Sequence, residues 1–439
     1  MEEALNQEIN FINTLFYYSD YVNLNDFLIE LLRIKNNHET SVLDPILNVN
    51  RFSEIINFMK KTVIPLDILR DLNDSLVKNI IYHSVSHVYM YQLNTSYSIK
   101  TIEKKLVNNI DSLTNNWSDT ALDNLAEGDI YYNLIDRIAP SRSNEIYYPA
   151  FFKTSSNLYL FSVIRTVTKT GDSIVIPAMT VLDTSQSIVM ILVPNKFKGG
   201  KPDGVFIWSP EAYCKILKSK ISMICDVSVK KIDDVYERAL KKNLFTSCVE
   251  MNRKLVEDYE DQLLEKMPPI KKHINNIKNN IGKVVHLTTN DKEKIEKKIL
   301  STCVSEYMTK AVKPSELQKK ALEKGLQGYP TKIKFDGLDS SSGGTRSSNR
   351  NSPLPIHEIF HSINTSFVYF GTIKECRIAW FNKYLFPNKK EFLNKSSVSQ
   401  ANIKISSGKV LINILRQTNK NEVMVNYVIS EVIKIINFV

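Results

Sequence analysis

The chain is predicted to be an α+β protein, on three observations. Apolar residues recur at helical spacing through most of the 439 residues. A central block from residue 146 to 208 is instead β-branched and aromatic, punctuated by tight turns. A second, shorter hairpin pattern lies near the C-terminus. These divide the chain into an acidic all-helical N-terminal domain (1–145) and a central antiparallel meander with long helices (146–335). A Ser/Gly-rich tether (336–352) and a basic C-terminal helical module with a β-hairpin (353–439) follow.

In the first part, Ile9, Ile12, Leu15 and Phe16, then Phe27, Leu28, Leu31 and Leu32, space a helix over 4–35. A second helix is predicted over Arg51–Thr62. Pro65 opens a third, because a first-turn residue loses nothing by lacking an N–H. Its stripe, Leu69, Leu72, Leu76, Ile80, His83 and His87, carries it to Gln92. Helices over 99–113 and 119–138 complete the first part. In the second part, strands are expected at Leu158–Thr168, Ser173–Leu182, Ile188–Val193 and Val205–Trp208. Between the last two lies Lys196–Gly204, a glycine- and lysine-rich surface turn without the spacing of a phosphate loop.

Ile232, Val235, Tyr236, Ala239, Leu240 and Leu244 then hold a 3.6 period, and the helix runs to Met267, before Pro268-Pro269. Lys271–Lys298 is the densest basic stretch. A helix follows Pro314 and ends at Gly325 or Gly328. Residues 336–352 are too polar to fold alone. Beyond them, helices are expected at 356–370 and 372–386. A hairpin at Asn402–Ile405 and Val410–Leu415 and an apolar helix or strand over 421–438 close the chain. Helices followed by a hairpin bearing Lys404, Lys409 and Arg416 resemble the element order of a winged-helix module.

Charge is uneven. Residues 1–150 hold 12 Lys/Arg against 20 Asp/Glu, while residues 251–439 hold 31 against 18, within a net charge of +10. Basic surfaces suit polyanions, and a lysine excess supplies phosphate contacts better than bidentate base reading. The five cysteines are scattered and form no C-x-x-C pair, which argues for free thiols in a reducing, intracellular compartment. No apolar run is long enough to span a bilayer, and no charged-then-apolar leader opens the chain, so no membrane partner is expected. The chain lacks the dinucleotide, nucleophile-elbow and protein-kinase signatures. Tyr131-Tyr132 and Tyr147-Tyr148 sit in or beside the acidic part, where core packing outweighs base stacking.

One motif carries recognisable chemistry. His357-Glu358-Ile359-Phe360-His361 resembles the H-E-x-x-H signature of zincin metallopeptidases. That resemblance implies zinc held by His357 and His361 with Glu358 as general base. Glu375 serves as a third ligand if the first helix of this region ends early. The competing reading makes the histidines half-buried flanks of an apolar stripe. His83 and His87 are likewise four apart and read as core or interface histidines.

The expectation is therefore a non-catalytic nucleic-acid-binding subunit of a viral or phage transcription or replication assembly, needing no cofactor. Lys271, Lys272, Arg346, Arg350, Lys404, Lys409 and Arg416 are the expected phosphate contacts, and the acidic helical domain docks on a protein partner. The alternatives are a zinc-dependent peptidase and a structural or assembly protein.

Overall fold

A computed structural model describes residues 18–94, 96–109, 131–132, 146–167, 173–194, 209–230, 233–266, 269–336, 342–347, 351–358, 360–361, 372–386, 397–406, 408–415 and 420–438. The fold is α+β. It divides into a first unit, Met1–Lys231 with Arg416–Val425 and Val439, and a second, Ile232–Leu415 with Asn426–Phe438.

The first unit carries helices α1 (Leu24–Asn37), α2 (Phe52–Lys61), α3 (Leu66–Ser84), α4 (Ile99–Asn108) and α5 (Pro210–Ile224). Its strands are β1 (Val85–Gln92), β2 (Tyr131–Tyr132), β3 (Ile146–Lys153), β4 (Asn157–Val167), β5 (Ser173–Asp183) and β6 (Ile188–Pro194). They pair antiparallel in the order β2-β3-β4-β5-β6-β1. The β5–β6 turn forms as its residues require: the Asp183 carboxylate accepts from Gln186 N at 3.0 Å and Ser185 Oγ at 2.6 Å. β6 is buried throughout, so it reads as a continuous apolar run rather than an alternation.

Two expectations for this unit are corrected. The first third is not all helix, because the helix opened by Pro65 stops at Ser84. There the Ser84 hydroxyl turns back to donate to Ile80 O at 2.6 Å. The following Val-Ser-His-Val-Tyr-Met-Tyr run is β-branched and aromatic and pairs with β6. His83 and His87 therefore share no helix face. Tyr131 and Tyr132, expected within a helix, pair with Phe151 and Ala150. The strand expected at 205–208 and the Lys196–Gly204 turn lie outside the described residues.

The second unit opens with α6 (Asp234–Lys266), α7 (Pro269–Gly282), α8 (Thr289–Ala311) and α9 (Pro314–Glu323). Thr288 and Asp291 cap α8 reciprocally. Pro314 begins α9, and Gly325, at φ 71°, ends its last turn in the left-handed region. Strands β7 (Gly328–Asp336), β8 (Ser342–Arg346), β9 (Glu375–Phe381), β10 (Val398–Ser406) and β11 (Lys409–Ile414) make an antiparallel sheet ordered β11-β10-β9-β7-β8. A single turn, α10 (Asn382–Leu385), follows β9, and α11 (Glu422–Ile436) closes the chain as a helix.

The core of this unit joins Leu255, Val256 and Leu263 of α6 to Val304 and Met308 of α8. Leu317 and Ala321 of α9 and Tyr329, Ala379 and Phe381 of the sheet complete it. Full burial contributes about 1.5–3 kcal/mol for each large side chain. Lys320 and Lys324 brace α9 on α6 through Asp258, each at 2.7 Å.

Two further corrections arise here. The helix expected at 372–386 is mostly β9: Glu375–Phe381 alternates polar and apolar at its start and is buried on both faces at its end. The tether is not wholly unstructured, since Ser342–Arg346 is a strand on the edge of the sheet. Its backbone bonds to β7, and the Phe335 ring covers Gly343, lending the apolar surface glycine lacks.

Candidate nucleic-acid interface

Residues that pair across antiparallel strands share a face, so strand register fixes which side chains the sheet of the second unit gathers. One face is apolar: Ile333, Cys376, Ile378, Ile403, Ile405, Val410 and Ile412 are all buried on it. The other face is cationic. Arg346, Lys332, Arg377, Asn402 and Asn413 form one row across all five strands. Lys334, Glu375, Lys404 and Leu411 form the next, and Lys409 opposite Ser406 lies beyond.

This face thus collects six cations, from Arg346, Lys332, Arg377, Lys334, Lys404 and Lys409. Glu375 is the carboxylate at its centre, and Asp336, two residues beyond Lys334, takes a register position on the same face. The outermost cations are open to solvent: Arg346 is exposed and the Lys334 side chain is 55% exposed. Lys404, Lys409 and Arg377 are half-buried. Burial acts to raise the Glu375 carboxyl. The hydrogen bond and charge of Lys332, the Asn402 amide and the Lys334 charge outweigh it and hold the group below its ordinary range. Lys332 contacts Glu375 directly, and Lys334 stands 3.8 Å away. Glu375 therefore pins the inner lysine, while the Arg346 and Lys334 side chains stay exposed. Arg377 Nε and the Oδ1 atoms of Asn402 and Asn413 are closed to solvent, so phosphates can reach this face at Arg346 and Lys334 and, in part, at half-buried Lys404 and Lys409.

Of the expected phosphate contacts, Arg346, Lys404 and Lys409 are brought onto this one face. Lys272 is exposed on α7, which also carries Lys271. Arg350 and Arg416 lie outside the described residues. Lys332, Lys334 and Arg377 were missed by sequence reasoning. The signal was present for two of them: Lys332-Ile-Lys-Phe335 alternates with the period of a strand.

The H-E-x-x-H residues occupy a different setting. Pro353 and Pro355 confine Leu354–Ile356 to a single tight turn, and His357 leaves it with extended backbone, φ −108° and ψ 129°. Helix begins at Glu358, and Ile359 and residues 362–371 lie outside the described residues. The two histidines are therefore not stacked one turn apart on a helix. His361 is 4% exposed, and its Nε2–H donates to Pro355 O at 2.6 Å. That fixes the tautomer, since a carbonyl only accepts. His357 Nε2 meets Ser347 Oγ at 2.7 Å. Burial lowers the pKa of both rings, favouring the neutral form; for His361 the bond to Pro355 opposes it in part.

Glu358 is exposed, and Glu375 is engaged on the sheet face. Among the described residues no three His, Cys, Asp or Glu side chains converge on a metal-sized point. Both Nε2 atoms already have protein partners, so the donor set that the motif's spacing implies is not assembled. Cys214, Cys225, Cys248 and Cys376 are buried and Cys303 is half-buried, none of them in a disulfide.

No protein-family model, curated protein or solved structure matches this chain.

Proposed function

We propose that this protein binds nucleic acid without catalysing a reaction on it, gripping phosphates through the cationic sheet face of its second unit. The observation that carries the reading is the cross-strand gathering of six cations on the face that bears Glu375 and, by register, Asp336. Lysines outnumber arginines on that face, which suits backbone contact over base reading. The basic α7–α8 segment supplies a second group of lysines, including exposed Lys272. The first unit contributes the other half of the proposal. Its α1 leaves Ile29 and Leu32 exposed beside Asp26 and the Glu30–Arg33 ion pair, an apolar surface suited to a protein partner. Placement in a viral or phage transcription or replication assembly rests on the Asn-, Ile-, Lys- and Tyr-rich composition alone.

The test is fluorescence anisotropy of the full chain with labelled single-stranded DNA, duplex DNA and RNA. Binding at 25–50 mM salt that weakens steeply toward 300 mM is the expected result. Undetectable binding of all three at low salt refutes the proposal.

A further inference from the structure

Helix α7 and the turn after it are built unlike the rest of the second unit. From Pro269 to Asn290 the chain has four lysines, two histidines and no carboxylate. Ile274, Ile277 and Ile281 share one face of α7 by their spacing of three and four. Ile274 is buried. Further along the same stripe Ile277 is 42% and Ile281 37% exposed, and beyond the helix Val284 is 85% and Val285 57% exposed. The stripe therefore runs out of the core and ends in four aliphatic side chains in solvent.

The turn holds them there. Val284 N and Val285 N both donate to Ile281 O, at 3.0 and 2.9 Å, and Lys283 N donates to Asn279 O at 3.2 Å. Lys272 and Lys283 stand exposed at either end of the helix, and Lys278 pairs with Glu296 at 2.6 Å. A short helix that is strongly two-faced, low in overall hydrophobicity and lysine-bearing is the kind that lies in the plane of a membrane surface.

We infer that α7 and the Lys283–Val285 turn form a peripheral docking element for an anionic lipid surface, with Ile277, Ile281, Val284 and Val285 entering the headgroup–acyl boundary and the lysines on the phosphates. Nucleic acid accounts for the lysines but gives four protruding aliphatics nothing to bury against. A protein pocket accounts for the aliphatics but has to be acidic as well. An anionic bilayer supplies both. No described helix is long and apolar enough to cross a membrane, and this element lies on the surface instead. The inference goes beyond the nucleic-acid reading and does not depend on it.

The test is co-sedimentation of the full chain with sucrose-loaded vesicles of phosphatidylcholine alone or with 30% phosphatidylserine. Binding to the anionic vesicles at least tenfold tighter than to the neutral ones is expected. Lys272→Gln with Lys283→Gln lowers it about 25-fold, since each lysine near such a surface is worth about fivefold. Val284→Asn with Val285→Asn, which leaves the charge as it was, lowers it at least tenfold, leaving the melting temperature and DNA anisotropy unchanged. In a Val284→Trp variant the added fluorescence shifts to the blue on anionic vesicles. Three results overturn the inference: no vesicle binding; vesicle binding indifferent to the valine pair, which is adhesion by charge alone; or a valine pair needed for DNA binding or self-association instead.

Discussion

Replacing Lys334, Arg346 and Lys404 together by glutamine probes the cationic face most directly. Arg346 and Lys334 are exposed or largely so, and Lys404 is half-buried. None anchors the apolar face, so the variant is expected to melt within a few degrees of the parent. Each phosphate contact contributes about 0.9 to the slope of log affinity against log salt. Referred to 1 M salt, one contact is then worth about eightfold at 0.1 M, and three are worth about 500-fold. The parent slope is expected at about −2.7 or steeper, from these three contacts together with the α7–α8 lysines. The triple variant should flatten it by about 2.7 while leaving weak binding through the α7–α8 lysines. Anisotropy titrations of a labelled 20-mer between 50 and 400 mM salt read both quantities. An unchanged slope in a variant that melts normally refutes the assignment of phosphate contact to this face, even if affinity falls.

Other outcomes follow from the same geometry. Glu375→Gln removes the carboxylate from the face and should steepen the salt slope by roughly one ion, at a stability cost of about 2 kcal/mol from stranding half-buried Lys332, read by urea titration. Because the Glu375 carboxyl is held below its ordinary range, its contribution is present above the unfolded value near pH 4.3 and lost as pH falls through the folded one; the parent should lose stability below pH 4 more steeply than Glu375→Gln. Gly344→Ala would put a Cβ 2.8 Å from Ile333 O, a backbone atom, and should cost about 1–3 kcal/mol, whereas Gly282→Ala meets nothing within 4 Å and should stay within about 0.5 kcal/mol, both read by thermal melts. His361→Ala should destabilise by about 2 kcal/mol by emptying a buried site and orphaning Pro355 O. Because burial lowers the His361 pKa, the unfolded chain binds the proton more readily, so stability falls as pH drops below about 6.5; the parent's loss between pH 7.5 and 5.5 should shrink in His361→Gln. Stoichiometric zinc in the purified protein, lost on His361→Ala, would favour the metallopeptidase reading.

Local chemistry made much of the architecture legible. β4 and β5 emerged from β-branched and aromatic runs, α9 from Pro314 at its start and Gly325 beyond its end, and the β10–β11 hairpin from two apolar runs around a Ser/Gly/Lys turn. Each of these signals is complete within about ten residues. The errors share the opposite character. Val85–Gln92 continued a helical stripe by spacing, and only pairing with β6 tipped it into strand. Ser342–Arg346 has almost no side-chain signal, and it is ordered by the backbone of β7 and the Phe335 ring.

The candidate site divides in the same way. Composition alone determined that cations are concentrated in the later part of the chain, because charge is a property of residues and does not depend on how they fold. Which cations meet was decided by strand register. Arg346, Lys332, Arg377 and Lys404 come from four strands separated by long stretches of chain, and only the side-chain period of two sets them on one face with Glu375 among them. The five-residue H-E-x-x-H spacing, by contrast, implies a shared helix face that tertiary structure did not build. Two prolines held His357 in extended backbone before the helix began, and a buried carbonyl took the His361 proton.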